Sequence, residues 1–152
     1  MTPRRLYRTL AIAEVITWTL LLLGMVLKYV THTTELGVRI GGGIHGFVFL
    51  SYCVATVLVG VSQKWPLGRI VLGLISAVVP YATVPFERSA EKRGELDGDW
   101  RVGRGHTEPV GFPEKVADWV IRRPVPAAIV AVVGIAVVFS ILLYLGPPIP
   151  TS

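Results

Sequence analysis

Apolar positions along the chain gather into four long blocks, Leu6 to Tyr29, Gly41 to Gln63, Leu67 to Phe86 and Val125 to Leu145. Each is close to the roughly 20 residues that carry a helix through the hydrocarbon of a bilayer. The first is apolar almost all round from Val15 to Leu27, without the single stripe of a helix lying on a soluble core. The fourth carries no charge and has only Ser140 and Tyr144 as polar groups. The pattern predicts an all-α fold, an integral membrane bundle of four transmembrane helices.

The segments between the blocks complete the outline. Ser62 to Pro66 is a tight turn, which makes the second and third helices antiparallel neighbours and places Trp65 in an interfacial belt. Pro80 and Pro85 predict a kink over 79–86, because proline removes a backbone donor and clashes with the preceding turn. From Ser89 to Pro124 charged residues, glycine and proline replace the aliphatics, the mark of a basic extramembrane loop. Within it, Pro113 and Glu114 open a short helix over 113–123 that sets Val116, Trp119 and Val120 on one side, suited to a membrane surface or a neighbouring protein. The expected organisation is a three-helix membrane module over 1–88, the loop over 89–124, a fourth helix over 125–145 and a Pro-rich tail over 146–152.

Composition supports a membrane rather than an aqueous solvent: 52% of the 152 residues are hydrophobic, 16% are charged, and mean hydropathy is +0.60. The first block is too long for a signal-peptide core and is expected to remain in the mature protein. Cys53, the single cysteine, falls inside the second helix, so it forms no intramolecular disulfide and reads as a small packing residue. The net charge of +5 comes largely from residues flanking the helices, where anionic headgroups account for them, so nucleic acid is not an expected partner. Four crossings place Arg4, Arg5 and Arg8 opposite the basic loop; the loop, richer in cations, favours both termini outside.

Candidate chemistry is confined to few positions. Glu14 and His45 are ionisable groups inside apolar runs, where a charge costs about 2.5–3.5 kcal/mol on insertion scales, so each must be paired, neutral or functional. Thr17, Trp18 and Thr19 surround Glu14 in sequence, and Ser51, Tyr52 and Thr56 recur at helical offsets from His45. Counting about 1.5 Å per residue from the helix ends brings Lys28, Arg39, His45 and Glu87, with Arg88, into one interfacial cluster. The same count sets Glu14 roughly 22 Å from Tyr29, so that it is expected to meet Tyr52, Ser76 or a partner subunit rather than His45. Gly42 and Gly46 have the small-xxx-small spacing of a helix-packing surface. The glycine-rich start of that helix lacks the strand and the Lys-Ser/Thr ending of a phosphate loop. His32 and His106 have no second ligand at metal-binding spacing, and neither a metal nor another cofactor is expected.

The residues Glu14, Leu27-Lys28-Tyr29, His45-Gly46-x-x-Phe49-x-x-Tyr52, Trp65 and Pro85-Phe86-Glu87-Arg88 together resemble an uncharacterised family of small bacterial integral membrane proteins, known only as a domain of unknown function. The resemblance covers about the first 88 residues and implies a three-helix module of the bacterial inner membrane; this chain adds the basic loop and a fourth helix. Among functional classes, contact surface without an active site favours a non-catalytic accessory or assembly subunit of a larger membrane protein complex, with the respiratory chain as the first host to consider. The alternative is a small oligomeric transporter or proton-handling protein using Glu14 and His45. An enzyme or haem protein is not expected, because His45 has no second intramembrane histidine and no nucleophile has a base and orienting partner.

Overall fold

The computed structural model describes residues 1–103 and 107–145. They form six helices and, among the described residues, no strand: α1 (Pro3–Tyr29), α2 (Leu36–Ser62), α3 (Leu67–Val78), α4 (Thr83–Lys92), α5 (Phe112–Arg122) and α6 (Pro124–Leu145). The chain divides into two compact units, Met1–Arg101 and Val102–Ser152.

In the first unit α1 and α2, of 27 residues each, run antiparallel and are both long and apolar enough to cross a membrane. The Thr2 hydroxyl accepts the Arg5 amide at 3.3 Å and Pro3 occupies the first turn, so the start of α1 is well capped. The two backbones come closest where glycines meet. A Cβ on Gly24 would fall 2.5 Å from the carbonyl carbon of Gly37, and one on Gly41 would lie 3.3 Å from the Leu20 oxygen. Gly37 and Gly41 thus supply the small-residue spacing expected of Gly42 and Gly46. Gly42 finds only a Leu21 methyl at 3.8 Å, and Gly46 finds nothing within 4 Å. The difference arises because α2 starts at Leu36: Arg39 interrupts the apolar run and conceals the first turn of the helix.

The expected third crossing over 67–86 is instead two helices that double back. Val79 is extended (φ −90°, ψ 120°), as a residue before proline tends to be, so α3 stops short of Pro80. Tyr81 turns the chain in a left-handed conformation (φ 67°), and Pro85 falls in the first turn of α4, where its missing N–H breaks no helical bond. Three contacts with α1 trace the path. Trp18 Nε1 donates to the Ala77 carbonyl (3.3 Å), the Thr83 hydroxyl donates to the Ala11 carbonyl (3.0 Å), and Glu91 pairs with Arg4. The hairpin therefore enters beside the start of α1, turns near its middle and returns. The twelve residues of α3 rise about 18 Å, well short of a bilayer core of about 30 Å.

Residues 93–101 then strap the end of the unit where α1 starts and α2 finishes. Trp65 Nε1 donates to the Glu95 carbonyl (3.0 Å), Trp100 Nε1 to the Met1 carbonyl (2.8 Å) and Arg101 Nε to the Ser62 carbonyl (2.7 Å), while Leu96 is fully buried. This segment belongs to the compact unit, which extends past the boundary at 88 suggested by hydropathy.

In the second unit, α5 matches the short amphipathic helix expected over 113–123. Gly111 precedes it at φ 85°, and the Val110 amide donates to the Glu114 carboxylate (2.7 Å). Gly103, at φ 93°, lies so close to Ile121 that a Cβ would come within 2.4 Å of that side chain, and its amide donates to Asp118 (2.8 Å). Val116 and Trp119 are exposed and Val120 is half-buried. The 22-residue α6 follows at once from Pro124. His106 and the Pro-rich tail over 146–152 lie outside the described residues.

Candidate functional site

One face of α1 carries Tyr7, Ala11, Glu14 and Thr17 at spacings of three and four, and all are buried. It meets a face of α2 carrying His45, Tyr52, Thr56 and Val59. Two apolar helices are thus joined through a polar seam.

At one end of the seam is a chain of hydroxyls. The Tyr7 hydroxyl lies 2.8 Å from that of Tyr52 and 3.1 Å from that of Thr56, and the Tyr52 hydroxyl lies 3.1 Å from that of Ser76 on α3. Thr56 and Ser76 hand their protons to backbone carbonyls within their own helices, at Tyr52 (2.8 Å) and Gly73 (2.6 Å). With those protons committed, Thr56 and Ser76 can only accept, so the two tyrosine protons serve two of the three hydroxyl contacts at a time. Tyr7 stacks on Tyr52 (ring centroids 5.1 Å apart) and meets Trp65 and Phe86 edge-on, which closes this end with aromatic rings. Gly73 is tightly enclosed: a Cβ there would lie 2.7 Å from a Thr56 methyl.

The other polar centre pairs Glu14 with His45. Glu14 is fully buried, and its Oε2 stands 3.4 Å from His45 Nδ1. The Thr17 hydroxyl donates to the Glu14 backbone carbonyl (3.1 Å) and so accepts from His45 Nδ1 (3.2 Å), which places a proton on that nitrogen. Trp18 covers the imidazole at 4.5 Å between centroids, and Phe49 approaches at 6.1 Å. Among the described residues neither Glu14 carboxylate oxygen has a hydrogen-bond partner. A carboxyl group so placed faces the imidazole, with which it can share a proton or a charge.

The sequence expectations fare unevenly against this geometry. Glu14 meets His45, which the depth count had set apart. The count took Gly41 as the start of α2, whereas the register of Gly24 on Gly37 brings His45 down beside Glu14 and Thr17. The interfacial cluster also divides. Lys28 pairs with Glu35 (3.3 Å) and Arg39 is exposed, both at the turn between α1 and α2. Glu87 and Arg88 lie on the returning α4, towards the opposite end; Glu87 is buried and Arg88 exposed. Tyr52 joins the hydroxyl chain rather than Glu14, and Trp65 is buried rather than interfacial. Tyr7 lies outside the sequence expectations, although its place seven residues before Glu14, two helical turns away on the same face, carries the signal.

Comparison with known proteins gives this module a family. The model of a domain of unknown function, DUF3817, matches residues 4–92, the stretch that holds α1 to α4. The chain belongs to this family. Two curated relatives are named as membrane proteins without an assigned activity. One, from Bacillus subtilis, is 34% identical over 88 residues, 57% of this chain and 91% of that protein. The other, from Streptomyces coelicolor, is 48% identical over 93 residues, 60% of this chain but 11% of that protein. No solved structure matches the chain. The DUF3817 module is thus a membrane protein module of uncharacterised function with two long apolar helices, nearly a whole protein in one relative and a small fraction of another.

Proposed function

We propose that this protein is a non-catalytic accessory or assembly subunit of a larger protein complex in the bacterial inner membrane, crossing the bilayer through α1 and α2 with the α3–α4 hairpin re-entrant beside them. The occurrence of the module both nearly alone, over 91% of one relative, and as 11% of another carries this reading, since a unit that serves a partner is found either free or fused. The interior fits such a role. The hydroxyls of Tyr7, Tyr52, Thr56 and Ser76 bond to one another and to backbone, which orders helices rather than presenting a nucleophile. The outer faces offer Leu23, Phe47, Val54 and Val57 to lipid or to neighbouring helices. α6, of 22 residues without a charge, has the length of a further crossing.

The hairpin also changes the preferred orientation. With α4 returning, Arg4, Arg5, Arg8, Lys64, Arg69, Arg88, Lys92, Arg93 and Arg101 gather at the end opposite Lys28 and Arg39. The excess of cations marks that end as cytoplasmic and moves the N-terminus inside, against the both-termini-outside expectation, which depended on a straight third helix.

The test is purification of a tagged copy at native abundance in mild detergent, followed by mass spectrometry of the fractions. The expected result is one larger membrane protein in fixed stoichiometry through two successive columns. A homo-oligomer without a partner refutes the accessory role.

One observation favours a second reading, intramembrane proton handling. The buried Glu14 carboxylate stands 3.4 Å from His45 with no hydrogen bond to either oxygen among the described residues, the arrangement of a group that exchanges a proton.

A further inference from the structure

The α3–α4 hairpin does more than fill space beside α1. Its two arms diverge from the turn at Val79–Ala82 and leave between them a groove of about 320 Å³, lined by Leu72, Ile75, Val79, Ala82 and Phe86, with Arg69 at the open end. Leu72, Ile75 and Val79 are about half exposed on this outward side, the buried Ser76 reaches the groove from between them, and Gly73 and Ala77 are buried. Arg69 is held at the mouth by Glu95 (2.8 Å), by the Ser89 hydroxyl (3.1 Å) and by the Phe86 ring, 4.3 Å from its guanidinium carbon. Ser89 also borders a second recess of about 470 Å³ on the neighbouring face of α4, where Arg88, Lys92 and Arg93 stand with Val84 and Pro85. Those three cations are exposed. The two recesses adjoin through Ser89, one apolar and one cationic.

We infer that this hairpin binds one anionic phospholipid, with an acyl chain in the α3–α4 groove and the phosphate against Arg88, Lys92 and Arg93. The inference rests on the re-entrant membrane disposition proposed above. Depth and charge select the occupant. The ten residues of α4 rise about 15 Å, half of a hydrocarbon core of about 30 Å, so the groove is one leaflet deep, Lys92 and Arg93 lie at headgroup level, and the exposed Arg88, about one turn deeper, reaches that level along its own side chain. Three positive side chains at that level favour a headgroup with net negative charge over a zwitterionic one. Arg69, already paired with Glu95, lines the mouth of the groove beside the Phe86 ring and leaves the phosphate to the three exposed cations.

The experiment is native mass spectrometry of the full chain, delipidated in detergent and then mixed with equal amounts of phosphatidylglycerol and phosphatidylcholine of the same acyl composition. The expected result is one retained phosphatidylglycerol, several-fold over phosphatidylcholine. Combined R88Q, K92Q and R93Q should lower phosphatidylglycerol to the phosphatidylcholine level, whereas combined R88K and R93K should retain the preference. Ile75→Trp, which fills the groove from an exposed position, should lower retention of both lipids without altering the elution volume. Equal retention of the two lipids by the native chain, or a preference that survives loss of the three cations, overturns the inference. Carbonate washing of membranes from cells that make the tagged chain separates the two failures. A chain that resists extraction but shows no lipid preference refutes only the lipid site, and a chain released by carbonate refutes the membrane disposition itself.

Discussion

Glu14 is the residue whose place most needs a physical account. Removing a carboxylate from water is costly, and a protein retains one only where a partner or a function offsets the penalty. Its partner is His45, held by Thr17 and covered by Trp18. If the pair serves only to fix the register of α1 on α2, Glu14→Gln keeps an acceptor beside Nδ1 and should change stability by less than about 1 kcal/mol. Thermal melting in detergent checks this, with His45→Ala as the contrast: loss of the ring beneath Trp18 should cost about 3 kcal/mol. If the pair exchanges protons, the native chain in vesicles should dissipate an imposed pH gradient, and Glu14→Gln should abolish that flux while retaining its fold. Absence of flux from the native chain sets the proton-handling reading aside. Sequence alone identified both residues, because an ionisable group in an apolar run is conspicuous at any register. It could not pair them, since pairing depends on which turn of α2 faces which turn of α1.

At the scale of the helix, that register is set by a few glycines. Gly24, Gly37 and Gly41 let the backbones touch, whereas Gly42 meets only a Leu21 methyl and Gly46 faces space. The spacing of four was legible in the sequence, but a run of glycines from 41 to 43 with another at 46 offers several such pairs, and only packing selects one. Gly24→Ala should force the helices apart and destabilise the module by about 1–3 kcal/mol, while Gly46→Ala should be neutral or slightly stabilising because alanine is the better helix former. Melting temperatures of the two variants in the same detergent decide between this register and one in which Gly42 and Gly46 form the contact; a larger loss from Gly46→Ala would reject it. The hairpin follows a similar rule. Pro80 and Pro85 announced a disturbance in the third apolar block. Whether two prolines kink a helix or reverse it depends on whether the residue before the first leaves the helical region, and Val79 does.

For the whole molecule, reversal of α3 into α4 decides which segments share a side of the membrane. A straight third helix would deliver residues 93–101 to the end where α1 meets α2, beside the turn over 30–35. The observed hairpin returns them to the end where the chain begins, and hydrogen bonds from Trp100 to Met1 and from Trp65 to Glu95 fix them there. Hydropathy legibly marked an apolar block of spanning length and was silent on this choice, because a re-entrant pair and a single crossing bury the same residues in the same solvent. Single cysteines separate the two arrangements. In a Cys53→Ser background, Thr34→Cys samples the turn between α1 and α2, and Asp97→Cys samples the strap. With intact spheroplasts and a maleimide that does not cross membranes, Thr34→Cys should react at once and Asp97→Cys only after lysis. Equal reaction of both sites from outside would restore the straight third helix. Such a result would place Glu87 and Arg88 back beside Lys28, and the basic residues would again divide between the two sides. Reaction of Asp97→Cys alone would retain the hairpin but reverse the orientation, separating the fold of the module from the charge rule used to orient it.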